Sequence, residues 1–209
     1  MIKDEIYLLR DSSGKIIQHQ TENLKILPTS HGRLIIFHHT RTSPERIIRF
    51  INRFKDKLEI GEHVPRALFG KTREGLKPKG MMLKTERRKG SILEEARILL
   101  TLNNALKLTR HPNPLQRLQN AVNFMRSQGF VGAELPLAIH LTHNGRNLLV
   151  TNYRKGKVNA VHEIPKPLQK TLDKLGIEAH TQLQYIKKWN GKKFIIDVKS
   201  WKIKKPKKI

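Results

Sequence analysis

The sequence predicts an α+β protein. Short apolar runs bounded by turn residues alternate with two longer stretches at helical spacing. Ile47, Ile48, Phe50, Ile51, Phe54 and Leu58 recur as one helix face, and Ser91–Leu108 reads as a second helix. Late in the chain, Phe194-Ile195-Ile196 reads as a buried strand behind the turn Asn190-Gly191, where both positions tolerate positive φ. That strand ends on Asp197. An acid at this point is held at fixed depth, either as a turn cap or as a metal or phosphate ligand.

In chain order, residues 1–40 read as strands. Ile6–Leu9 is an apolar run, Asp11–Gly14 a turn, Ile16-Ile17 the resumed strand and Leu34–Phe37 a further run. His38-His39 follows it, but adjacent strand residues face opposite ways, which disfavours a shared metal. Ser43 and Pro44 suit the N-cap and first position of a helix that Gly61 closes. Its polar face carries Arg46, Arg49, Arg53, Lys55 and Lys57. Residues 64–84 read as a hairpin, with Ala67–Phe69 and Met81–Leu83 as strands and Lys84 at the end of the second. Gly70 and Gly75 lie in its basic turn region, where glycine lets backbone N–H groups approach a phosphate.

In the next helix, Ser91 with Glu94 is a capping-box pattern, and Leu93, Ala96, Leu99, Leu100 and Ala105 make its buried stripe. Glu94 and Glu95 fall in the first turns, where the helix dipole favours acids. Asn113 caps a further helix with Leu115, Leu118, Val122 and Met125 on one face, ended by Gly129. Leu135–Thr142 and Leu148–Val150 read as strands around Asn144-Gly145, and Asn152–Lys157 as a polar exit. A short helix with Leu168, Leu172 and Leu175 aligned stops at Gly176. The lysine-rich stretch Lys202–Lys208 reads as a disordered tail.

Forty-two Lys and Arg against 17 Asp and Glu give a net charge of +25 over 209 residues. Such a balance favours an anionic partner: nucleic acid, an acidic membrane surface or a phosphorylated ligand. With no cysteine, disulfides and thiolate metal sites are excluded. The N-terminal stretch lacks the apolar run of a signal peptide and no segment is apolar for long enough to span a bilayer, which predicts a cytoplasmic protein.

Four stretches, in order, resemble the protein-kinase-like superfamily, in particular its small bacterial and archaeal members such as lipopolysaccharide core kinases and RIO-like kinases. Gly80–Lys84 (GMMLK) is similar to the third-strand lysine motif, and Leu93–Arg97 (LEEAR) to the helix that supplies its acidic partner. The stretch from Gln128 to Lys157 is similar to the strands leading into the nucleotide hinge. LGIEAHTQLQ and GKKFIIDV are similar to the catalytic loop and the strand of the metal-binding Asp. The resemblance implies a minimal kinase-like fold with a β-rich N-terminal lobe and a truncated helical C-terminal part. It divides the chain into residues 1–60 (strands and basic helix), 61–201 (kinase-like domain) and 202–209 (basic tail). It implies ATP and Mg²⁺ as cofactors. Lys84 would hold the α and β phosphates, Glu95 or Glu94 would hold Lys84, and Asp197 would carry the metal. The backbone of Val150, Thr151 and Tyr153 would meet the adenine edge, and Gly70 and Gly75 would line the phosphate side.

The chain departs from the family at the catalytic loop. Two residues after His180, where an Asp is expected, stands Gln182, which cannot accept a proton as a carboxylate does. The second-metal Asn has its nearest counterpart in Asn190, within the hairpin turn, and Asp197-Val198-Lys199 replaces Asp-Phe-Gly. These changes imply a nucleotide-binding protein with weak or absent phosphotransfer.

Two other functions fit parts of the sequence. The charge, the basic helix at 42–58 and the C-terminal tail suit a non-enzymatic nucleic-acid-binding protein, with few stacking platforms because aromatics are 6% of residues. Asp197-Val198-Lys199 also resembles the Asp/Glu-x-Lys element of restriction-type nucleases, for which Asp173 or Glu178 would be the further carboxylate.

Overall fold

The computed structural model describes residues 8–10, 16–19, 25–37, 40–55, 80–86, 90–107, 116–142, 147–152, 156–179, 182–198 and 200–204. They form a mixed α and β structure divided into two compact units, one of residues 22–93 and 135–153, the other of residues 1–21, 94–134 and 154–209.

The first unit is a five-stranded antiparallel sheet in the order β3-β4-β7-β8-β5, with β3 at Lys25–Thr29, β4 at Gly32–Ile36, β5 at Met81–Thr85, β7 at Pro136–Thr142 and β8 at Leu148–Asn152. Helix α1 (Pro44–Phe54) covers one face. It starts where the sequence predicts: the Ser43 side chain accepts the Arg46 N–H at 3.4 Å, and Pro44 fills the first turn, where no N–H is needed. Ile47, Phe50, Ile51 and Phe54 pack onto Leu34, Ile36, Met81, Leu83, Leu148 and Val150. Each such side chain contributes about 1.5–3 kcal/mol by leaving water. Arg46, Arg49 and Arg53 stay exposed. This core joins strands from both sides of position 60.

The second unit is built on a four-stranded sheet in the order β6-β12-β11-β9, with β6 at Phe130–Ala133, β9 at Lys157–Val161, β11 at Leu183–Lys187 and β12 at Lys193–Ile196. β6 runs parallel to β12, and the other pairs are antiparallel. Helices α2 (Ser91–Lys107), α3 (Gln116–Ser127) and α4 (Lys166–Lys174) belong to residues 91–174, and α3 and α4 pack together. A separate two-stranded hairpin pairs β1 (Leu8–Arg10) with β2 (Ile16–His19).

Several expectations are corrected. The C-terminal part is not helical: beyond residue 154 it carries α4 alone among helices, with five strands, among the described residues. β9 begins at Lys157, the last residue of the expected exit, and runs on because Val158 and Asn159 find partners on β11; β6 also forms as a short strand beside β12. Helix α2 buries Ile92, Ile98, Leu102 and Leu106 besides Ala96, Leu99, Leu100 and Ala105, while Leu93 is half-buried; a helix apolar around most of its girth is buried on more than one side. The start of the C-terminal tail is ordered: β13 (Lys202–Ile203) pairs with β10 (Ile177–Glu178), and Trp201 is buried. The expected strand Ala67–Phe69, His38-His39, Gly61, Asn113 and the turn at Asn144-Gly145 lie outside the described residues.

At the β11–β12 turn, Gly191 N–H donates to Lys188 O at 3.0 Å and Lys188 N–H to Lys192 O at 2.9 Å. Gly191 alone takes positive φ, 78°, while Asn190 does not, so the turn is not the doubly left-handed form expected. Gly176 stops α4 as expected, with φ 73° just beyond Leu175.

Candidate functional site

Lys84 lies in a cross-strand row running Ile35, Ile139, Leu149, Lys84 over β4, β7, β8 and β5, on the face opposite α1. The three aliphatic members are fully buried, and Lys84 is only 8% exposed. Lysine is rarely buried so deeply without a charged or polar counterpart. Alternation along the strands puts Met82 and Thr151 on the same face, with Thr151 directly opposite Met82.

The predicted hinge residues split. Val150 points into the α1 core, Thr151 to the Lys84 face, and both stand inside β8 between β7 and β5. Their main-chain groups are therefore taken up by the ladders. Asn152 closes the strand: its N–H donates to Leu135 O at 2.9 Å, and its side-chain oxygen accepts the Leu135 N–H at 2.5 Å.

Sequence reasoning missed Glu86, two residues past Lys84. It is buried, its carboxylate accepts the Asn147 side-chain amide at 2.8 Å, and it also accepts the Gly90 N–H just ahead of α2. The Glu86 N–H donates to Asn147 O at 3.0 Å. This pair clamps the end of the β5–β8 ladder and fixes the strand that carries Lys84.

In the second unit, Glu94 is half-buried and Glu95 buried in the first turns of α2. Asn103, also missed, ties α2 to β6: its amide donates to Leu99 O at 2.8 Å and Glu134 O at 3.1 Å, and its oxygen accepts the Ala133 N–H at 3.1 Å. β6 in turn flanks β12, which ends at Asp197. Asp197 is half-buried and is the one described non-glycine residue at positive φ, 52°. Asp enters this left-handed region more readily than most residues. No sequence pattern marks such a dihedral.

Gln182 is exposed, and its carbonyl accepts the Trp201 indole N–H at 3.4 Å, so its backbone is anchored. Asn190 sits in the hairpin turn and accepts the Lys192 N–H at 3.3 Å, a local role rather than a second-metal one. Gly70, Gly75, Tyr153 and His180 lie outside the described residues. Lys84, Val150 and Thr151 belong to one unit, and Glu94, Glu95, Gln182 and Asp197 to the other.

Among the described residues, no group of three or more His, Asp or Glu side chains could hold a metal. Of the two further carboxylates a nuclease would recruit, Asp173 is bound to Lys204 at 2.8 Å and Glu178 lies on β10.

No helix of the described residues is long and apolar enough to cross a membrane. Comparison with protein-family models, with curated proteins and with solved structures finds no match, so the function must be argued from these residues.

Proposed function

We propose that the chain is a kinase-like nucleotide-binding protein in which Lys84 holds the phosphates of ATP, with phosphotransfer weak or lost. The observation that carries the reading is Lys84 itself. A lysine is placed at 8% exposure in an otherwise aliphatic row, on the strand next to the one that leads toward the predicted hinge. Glu86 and Asn147 hold that strand end in place. A pre-positioned, partly desolvated ammonium interacts more strongly with phosphate than a surface lysine does. Gln182 gives the reading its second half. A neutral amide at the catalytic-loop position cannot take the acceptor's proton.

Thermal unfolding with and without ATP·Mg²⁺ tests this. Ligand at 100 times Kd stabilises the native state by about 2.7 kcal/mol. The wild type is expected to shift upward. Lys84→Met is expected to lose the shift in ATP with or without metal. An undiminished shift in Lys84→Met would refute the assignment. Gln182→Asp is expected to raise phosphate release above the wild-type level.

A further inference from the structure

The tip of the β11–β12 hairpin is built unlike the rest of the second unit's surface. Trp189 is 98% exposed there. Lysines 187, 188, 192 and 193 flank it on both sides. The register adds a fifth cation. Lys157 on β9 stands opposite Lys187 on β11, and Lys187 stands opposite Lys193 on β12. Three lysines thus lie abreast across three strands, about 4.8 Å apart from strand to strand. Like charges directly opposite each other destabilise a sheet, and none of these lysines pairs with a carboxylate of the described residues. Such a row is stabilised by an external anion.

The tip is ordered rather than loose. The turn's two backbone hydrogen bonds and the Asn190 side chain hold Trp189 in place. Lys193 lies 5.3 Å from the Phe130 ring and 5.4 Å from the Tyr185 ring, and Lys188 5.5 Å from the Phe194 ring. The ammonium groups of Lys193 and Lys188 thus lie over aromatic faces, while Lys157, Lys187 and Lys192 stay exposed to solvent. A solvent-facing indole on an ordered turn, beside a row of cations, matches the two needs of single-stranded nucleic acid: a face on which a base stacks, and charges for the backbone phosphates. An anionic bilayer is matched less well, because one indole among lysines, Asn190 and Gly191 offers little apolar area to bury.

We infer that this hairpin is a docking site for single-stranded nucleic acid, with an unpaired base stacked on Trp189 and phosphates held by Lys157, Lys187 and Lys192. The site belongs to the other unit than Lys84 and does not rest on the nucleotide reading. The basic face of α1 and the C-terminal lysines would supply only a background of unspecific attraction.

The test is fluorescence anisotropy of a labelled 15-mer dT and a labelled blunt duplex, with full-length wild type, Trp189→Ala, Trp189→Phe and the double variant Lys157→Gln/Lys187→Gln. Trp189→Ala is expected to weaken 15-mer binding about 5- to 100-fold, the loss of one stacked base, and to leave duplex binding and the melting temperature unchanged. Trp189→Phe is expected to recover most of the affinity. The lysine variant is expected to lower the slope of log K against log salt by roughly 1.4, about 0.7 for each phosphate contact on a single strand. Equal 15-mer affinity in Trp189→Ala and wild type overturns the inference. An equal loss on the duplex overturns the base-stacking role. Binding to phosphatidylserine vesicles that depends on Trp189, without such dependence for the 15-mer, assigns the tip to membranes instead and overturns it too.

Discussion

Asn103→Ala should cost the second unit much more than its size suggests. Asn103 is buried and satisfies two main-chain groups that have no helical alternative: the Ala133 N–H at 3.1 Å and the Glu134 carbonyl at 3.1 Å. The Leu99 carbonyl, at 2.8 Å, lies four residues back on the same helix, within reach of the helix's own ladder, and is left out of the sum. Leaving one buried polar group unsatisfied costs about 1–3 kcal/mol. Two such groups give about 2–6 kcal/mol, a large share of a typical domain's stability. The assay is urea unfolding followed by far-UV circular dichroism at constant m-value. Hydrogen exchange should also show lost protection in β6 and β12 before other strands, because β6 is the element Asn103 holds. A loss under about 1 kcal/mol, or unchanged exchange in β6, would refute the argument that Asn103 couples α2 to the Asp197 strand. A double-mutant cycle sharpens it. A Cβ at Gly132 would lie 3.3 Å from the Asn103 oxygen, so Gly132→Ala should be costly in the wild type and less so beside Asn103→Ala.

Other outcomes follow from the same structure. His140 is 6% exposed; Thr29 Oγ1 lies 2.9 Å from its Nε2, and its Nδ1 has no partner among the described residues. Burial, with Lys55 and His31 adding repulsion, holds its pKa below the usual histidine value. Since the folded pKa is depressed, the neutral ring's contribution is complete above the unfolded value of about 6.5 and is lost as pH falls through the folded one. Urea midpoints at pH 7.5 and 5.5 should therefore differ more in the wild type than in His140→Leu, and equal differences would contradict this. Trp201→Ala should cost about 3–5 kcal/mol, since the indole is 2% exposed and anchors the Gln182 carbonyl. Lys204→Ala, which breaks only a half-exposed ion pair with Asp173, should cost under about 1 kcal/mol in the same denaturation assay.

The elements legible in the sequence are those whose signals are local. Ser43-Pro44 and the 47/50/51/54 spacing specify α1; Leu168, Leu172 and Gly176 specify α4 and its stop; Gly191 between apolar runs specifies the β11–β12 hairpin. Lys84 and Asp197 could be singled out because each ends an apolar strand run. What the sequence could not supply is which strands become neighbours. β5 lies beside β8, more than 60 positions away, and β6 runs parallel to β12 across a similar gap. Such pairing depends on loop closure and on the sum of buried area, neither of which any short window carries. For the same reason the tail looked like a solvated charge run until Ile177 and Trp201 gave it a strand to pair with and a core to enter. The amide of Asn103, the Glu86–Asn147 clamp and the lysine row at 157, 187 and 193 exist only once distant strands meet. Composition by itself determined the large positive charge; the tertiary structure decided which cations are buried and which are lined up at the surface, because burial and register are properties of the folded sheet and not of the chain.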